Sequence, residues 1–220
     1  MGRQVSYSNK ILLESDYKRG FAYELMKRFI DILGSVFGII LLLPLFIIVS
    51  LAIKIESEGP VLFIQKRCGK DGRIFKMYKF RSMVCNAEEK LEDLMHMNEM
   101  SGPVFKIKND PRITKVGNFI RRTSIDELPQ LVNVLKGDMS LVGPRPPIDR
   151  EVLKYTEYEK QRLLIKPGLT CYWQVSGRNG INFDEWVNLD IKYIVERNLW
   201  VDIKLILKTV FVLFGDKNAC

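Results

Sequence analysis

FIDILGSVFGIILLLPLFIIVSLAI, residues 29–53, is the stretch whose reading decides the fold. Asp31 is its only charge, and from Ile32 to Ile53 the chain runs 22 residues without another. As a helix this is long enough to cross a hydrocarbon core about 30 Å thick. A transmembrane helix is the simplest reading, and a buried core helix is the plainer competitor. Three features favour a helix that enters a membrane and turns back. Pro44, near the middle, removes a backbone hydrogen bond and favours a kink. Lys27 and Arg28 flank one end while Lys54, Lys66, Arg67 and Lys70 follow the other, so both flanks carry the charge of cytoplasmic loops. Asp31 suits an interface better than a bilayer interior. The residues alone leave a straight span and a re-entrant helix-break-helix both open.

Upstream, residues 1–28 are polar and rich in cations, and 17–28 reads as a short amphipathic helix at an interface. Downstream the pattern shortens. PVLFIQK (60–66) and IFKMYKF (74–80) read as strands around the turn CGKDGR, giving a basic β-hairpin. Residues 87–97 and 114–122 read as helices, and 104–108 as a short strand. Residues 139–142 are extended, 148–165 form a charged outer helix, 166–170 a turn, 171–175 a strand and 176–180 a loop. Residues 183–198 are helical with Asp190 inside, a position where an aspartate ordinarily faces solvent. The tail LWVDIKLILKTVFVLF (199–214) is too short and too charged to span, so it reads as an interfacial amphipathic helix with Trp200 near the headgroups. The expected fold class is α+β, mostly α. It comprises an interfacial segment (1–28), a membrane element hinged near Pro44 (29–54) and a compact domain (55–220) ending in an interfacial helix.

The 220 residues carry a formal charge of +8, which points to an anionic partner: nucleic acid, anionic lipid or a phosphorylated substrate. A single histidine, His96, sets aside His-rich zinc sites and most His-dependent triads. Cysteines at 68, 85, 171 and 220 show no metal-ligand spacing and read as reduced thiols of a cytosolic compartment. No repeat, low-complexity tract or cleavable signal is evident.

The chemistry concentrates in RRTSIDELPQLVNVLKGDMSLVGPRPP, residues 121–147. Ser124 is a natural N-cap, Leu128, Leu131, Val132 and Leu135 make an apolar helix face, and Gly137 stops the helix. Ser124 to Glu127 therefore fits an ordinary capping box. Yet Asp126 and Glu127 stand together at a helix start, with Arg121 and Arg122 before them and a proline-clamped Arg145 after. That is more positive charge than two carboxylates need. Such a pocket suits a polyphosphate, with a carboxylate placed to hold a divalent metal or attack phosphorus.

With these residues in view, the chain resembles the monotopic phosphoglycosyl transferases, the bacterial sugar transferase family. The resemblance rests on KRFIDILGS, GPVLFIQKRCG, FKMYKFRSM, NDPRITKVGNFIRR, SIDELPQLVNVLKGDMSLVGPRP, KPGLT and QVSGRN, and runs from about Lys27 to the C-terminus. It implies transfer of a sugar-1-phosphate from a UDP-sugar to undecaprenyl phosphate, with release of UMP, at the cytoplasmic face of a bacterial inner membrane. It further implies Asp126 as nucleophile of an aspartyl-phosphosugar intermediate with Mg²⁺ bound beside it, and Glu127 as base or positioning group. Lys79, Arg121 and Arg145 become phosphate-binding residues, Asp190 a further active-site acid, and the Pro44 helix re-entrant. Leu43 stands where some members have serine before the hinge proline, and Cys171 where many have glycine. The extra N-terminal spans of larger members are not seen, so the chain resembles the compact catalytic unit.

Two other classes compete: a membrane-bound glycosyltransferase that releases UDP, and a non-catalytic basic protein held on anionic lipid. No RRM, zinc or helix-turn-helix signature supports a nucleic-acid partner. Neither the sugar nor the oligomeric state is legible.

Overall fold

The computed structural model describes residues 10–99, 102–105, 107, 109–175 and 181–215. The loop expected at 176–180, the end of QVSGRN and part of the strand expected at 104–108 lie outside them. One helix dominates, Phe21–Glu56. It is 36 residues long and apolar enough to cross a membrane by length and composition. A one-turn helix, Glu14–Tyr17, precedes it, and extended Gly20 separates the two. The interfacial helix expected at 17–28 is therefore the first two turns of the long one, which also runs across the boundaries expected at 28/29 and 54/55. Helical structure continues on both sides of Pro44.

The long helix lies along the rest of the chain at several points over its length. Near its start Lys27 reaches Asp202, and Asp31 accepts hydrogen bonds from the Ser140 hydroxyl and the Leu141 N–H at 2.9 and 2.8 Å. In its middle, Phe46 meets Phe80 edge to face. At its end, Glu56 accepts from the Lys115 and Val116 N–H groups. Gly34 and Gly38 permit the close approach: a Cβ at Gly34 would fall 2.7 Å from Leu141, and one at Gly38 3.1 Å from Leu131. Small residues four apart are the usual means of bringing a helix against its neighbour. The opposite arc, with Leu25, Phe29, Leu33, Phe37, Ile40, Ile47 and Leu51, is exposed. A helix held to the same domain at both ends and in the middle presents an apolar side to its surroundings.

The hairpin forms as expected, shifted in its first strand. β1 (Leu62–Cys68) pairs antiparallel with β2 (Ile74–Phe80), Lys79 opposite Phe63. Asn133, fully buried, accepts from the Tyr78 N–H at 3.1 Å and donates to the Lys76 carbonyl at 2.7 Å. It thereby takes the place of a third strand on the free edge of β2. A second sheet was not foreseen: β3 (Ser140–Val142) pairs parallel with β4 (Gly168–Thr170). The segment read as a turn at 166–170 is thus a strand, and the strand expected at 171–175 is a helix, Tyr172–Val175.

The charged helix expected at 148–165 is broken into Asp149–Val152, Glu157–Lys160 and a 3₁₀ turn, Gln161–Leu163. It is not an outer element, because Glu151, Tyr155, Arg162 and Ile165 are buried. Residues 87–97 open with turns at 87–90 and are helical from there on, in two short pieces, Leu91–Leu94 and a 3₁₀ turn Met95–Met97. The helices Lys115–Arg122, Phe183–Glu196 and Leu199–Gly215 match expectation closely. Trp200, Leu207 and Phe211 of the last are exposed, as an interfacial helix requires.

Asp202, in the first turn of that last helix, fastens the long helix. It takes Lys27 Nζ at 3.1 Å, the Tyr23 hydroxyl at 2.9 Å and the Tyr193 hydroxyl at 2.5 Å, all largely buried. Removing one partner of a buried pair strands the other. Asp202→Leu should lower stability by about 3–5 kcal/mol, and Lys27→Met/Asp202→Leu by much less. Chemical unfolding in detergent measures both.

Candidate active site

The dyad is carried on a tight turn. Ser124 takes φ 54° and ψ 17°. That left-handed conformation rules out the capping role expected of it, since an N-cap residue is extended. Its carbonyl instead accepts from the Glu127 N–H at 3.2 Å. A 3₁₀ helix, Ile125–Gln130, follows before the α-helix Leu131–Lys136, which Gly137 terminates at φ 89°. In a 3₁₀ turn successive side chains point about 120° apart. Asp126 is accordingly buried while Glu127 is half-exposed and forms an ion pair with Lys79 Nζ at 2.6 Å.

Burial pushes the Asp126 carboxyl up to about 6, against the pull of Lys79 and Arg121 and with the help of Glu127 beside it. Glu127, Lys79 and Arg121 are thus all within electrostatic reach of Asp126. A raised folded-state pKa means that this group favours the fold most below its unfolded value, 3.8, and loses that contribution as pH rises through about 6. Asp126→Asn removes the penalty. With metal chelated, its stability relative to wild type should be level near pH 4 and rise by on the order of 1–3 kcal/mol by pH 7. Thermal unfolding across that range checks it.

Arg145 stands in a second group. Its loop, Gly143 to Pro147, is pinned by backbone bonds from Gly168 N to the Pro144 carbonyl and from Cys68 N to the Pro147 carbonyl. Its guanidinium lies 3.4 Å from Glu151 and 5.0 Å from the Trp186 ring. Arg67 stands between the two groups. It donates to the Pro146 carbonyl at 2.9 Å, and its charge is felt by neither group alone: burial and Arg145 hold it down to about 9, while Glu151 and Glu127 support it. Its Nε is buried with no partner among the described residues.

Asp190 lies deeper. It is fully buried and bound to Arg162 Nε at 2.8 Å, and Arg162 also sits 5.3 Å from the Trp186 ring. Arg145 is near enough to stabilise its charge. The solvent-facing aspartate expected of a helix interior is therefore not what forms. The resemblance-based set divides into a dyad cluster and an Arg145–Trp186–Arg162–Asp190 stack, with Arg67 joining them. Sequence reading did not single out Arg67 and Trp186, which stand beside these residues.

Among the described residues, no three of His, Cys, Asp and Glu converge. Asp126 together with the oxygens of a bound diphosphate fits the sparse mode in which Mg²⁺ takes one or two carboxylates plus substrate phosphates and water.

A family model described as bacterial sugar transferase matches residues 22–216. The galactosyl transferase CpsE of Streptococcus agalactiae is 49% identical over 218 residues, 98% of this chain and 46% of that protein. The undecaprenyl-phosphate galactose phosphotransferase of Salmonella typhimurium is 45% identical over 198 residues, 88% of this chain and 41% of that one. The exopolysaccharide production protein ExoY of Rhizobium meliloti is 37% identical over 188 residues, 84% of this chain and 83% of ExoY. The chain thus spans under half the length of the first two and most of the third.

Proposed function

The chain belongs to the bacterial sugar transferase family, and from that premise we propose that it transfers a sugar-1-phosphate from a UDP-sugar to undecaprenyl phosphate, releasing UMP. The observation that carries the reading is a buried carboxylate, Asp126, set among Lys79, Arg121 and Glu127. In the first step an Asp126 oxygen attacks the phosphorus that bears the sugar. The bond from that phosphorus to the bridging oxygen breaks, and UMP leaves with the bridging oxygen. In the second step an oxygen of undecaprenyl phosphate attacks the same phosphorus, and the acyl-phosphate bond breaks to return the carboxylate. Such transfers depend chiefly on positioning and on neutralising phosphate charge. Lys79 and Arg121 supply the charge at the dyad, and Arg145, on its clamped loop, offers a planar fork for a further phosphate. Glu127, held by Lys79, positions the acceptor phosphate or takes its proton. Mg²⁺, held by Asp126 and diphosphate oxygens, would add neutralising charge.

The long helix supports a membrane-surface site. Its end packs through Val49 and Ile53 against Phe80 and Ile120, next to Lys79 and Arg121. Its outer arc is apolar from Leu25 to Leu51. We place this arc in one leaflet as a re-entrant element bent at Pro44, with the dyad at the headgroups of the cytoplasmic face of a bacterial inner membrane. There a soluble donor and a lipid-borne acceptor can use one carboxylate in turn. The test is a panel of UDP-sugars incubated with the protein, Mg²⁺ and undecaprenyl phosphate, with the released nucleotide identified. UMP is the expected product; UDP would instead assign a glycosyltransferase that moves the sugar alone.

A further inference from the structure

A cavity of about 320 Å³ opens away from the dyad. It is lined by Lys70, in the hairpin turn, whereas Lys79 stands near the open end of the same hairpin. At 3.3 Å per strand residue the two are roughly 20 Å apart. Seven lysines and arginines line the cavity, against Glu24 and Asp31.

Several of these charges are already committed. Arg197 pairs with Glu24 at 2.9 Å, and Lys27 with Asp202 at 3.1 Å. Arg19 donates to the carbonyls of Val195 and Arg197, and Asp31 serves Ser140 and Leu141. Lys18 reaches Glu14 at 3.7 Å. Arg28, Lys70 and Lys166, like Arg19, have no carboxylate within ion-pair distance among the described residues. Arg28 is fixed by two carbonyls, Val134 at 2.7 Å and Leu135 at 2.8 Å. A Cβ built on Gly137 would lie 3.5 Å from Arg28 Nη2 and 3.7 Å from Lys166 Nζ. The two charges are thus within roughly 7 Å and repel one another. Partial burial and that guanidinium hold the Lys166 ammonium below the ordinary lysine range. With N–O contacts of about 2.8 Å, one phosphate bridges such a gap.

The cavity also adjoins the apolar arc of the long helix. At 100° per residue, exposed Phe21, Leu25 and Ile32 fall within about 60° of Arg28 around the helix axis. A phosphate seated on Arg28 therefore has an apolar track beside it, which suits acyl chains better than a soluble anion. We propose that this cavity binds the phosphate of an anionic phospholipid headgroup, with Arg28, Lys70 and Lys166 as its cationic partners. The site is separate from the dyad, and its failure would leave the transferase reading untouched.

The test uses the full chain in a neutral detergent at 150 mM salt. Short-chain phosphatidylglycerol is titrated in parallel with the same-chain phosphatidylcholine and with inorganic phosphate, and binding is followed by thermal shift. Saturable stabilisation by phosphatidylglycerol is expected, weakened at least ten-fold in Lys70→Gln/Lys166→Gln. Lys90→Gln/Lys154→Gln, which removes the same charge from exposed positions elsewhere, should bind as wild type does. Equal weakening in that control, no change in the cavity variant, or phosphatidylcholine binding as well as phosphatidylglycerol would each overturn the proposal. Inorganic phosphate as effective as phosphatidylglycerol would reassign the cavity to a soluble phosphate.

Discussion

Asp126→Asn is expected to lower UMP release by roughly 10³-fold or more and to abolish donor-dependent labelling of the protein. The substitution keeps shape and removes the attacking oxygen's charge. It leaves the Glu127–Lys79 pair at 2.6 Å in place, so charge around the substrate diphosphate is disturbed at one atom only. Asp126 is buried beside Glu127, which disfavours its charged form, so the amide is expected to fold at least as stably as the acid. Loss of activity with undiminished stability therefore separates chemistry from scaffold. Should Asp126→Asn still become labelled by donor, the nucleophile is another group and the two-step scheme falls.

Local pattern carried most of the scaffold. Apolar runs located the long helix, the hairpin and the tail helix because each is decided by its own residues. What pattern could not supply was long-range pairing. β3 and β4 are three residues each and pair across the chain from Ser140–Val142 to Gly168–Thr170. Strands so short carry no period to read. The same limit applies at the site. Asp126 and Glu127 stood out as neighbours between arginines, but the left-handed Ser124 that turns one inward and the other toward Lys79 is a choice made by tertiary packing. Arg67 looked like one more cation on a basic edge. Only the fold shows it buried under the Pro146 carbonyl, between Arg145 and the dyad.

Asp190→Asn should cost about 3–5 kcal/mol, because it leaves Arg162 as a buried guanidinium without its counter-charge. Both residues are essentially sealed from solvent, and Arg162 has one nitrogen, Nη2, with no partner among the described residues. At two to four degrees per kcal/mol for a chain of this size, a fall in melting temperature of roughly 10 °C is expected. Asp190 holds Arg162 through a buried ion pair at 2.8 Å. It fixes Arg162, which lies on the Trp186 ring, and Arg145 lies on that ring too. If Asp190 acts only through this stack, an apolar replacement of the whole pair, Arg162→Met/Asp190→Leu, recovers much of the stability. It also recovers activity relative to Asp190→Asn, since Trp186 is again supported from beneath. If Asp190 instead touches the reacting phosphates, the double variant regains stability and stays inactive. Unfolding midpoints and UMP release measured on the three proteins distinguish a carboxylate that holds an arginine in place from one that takes part in the reaction.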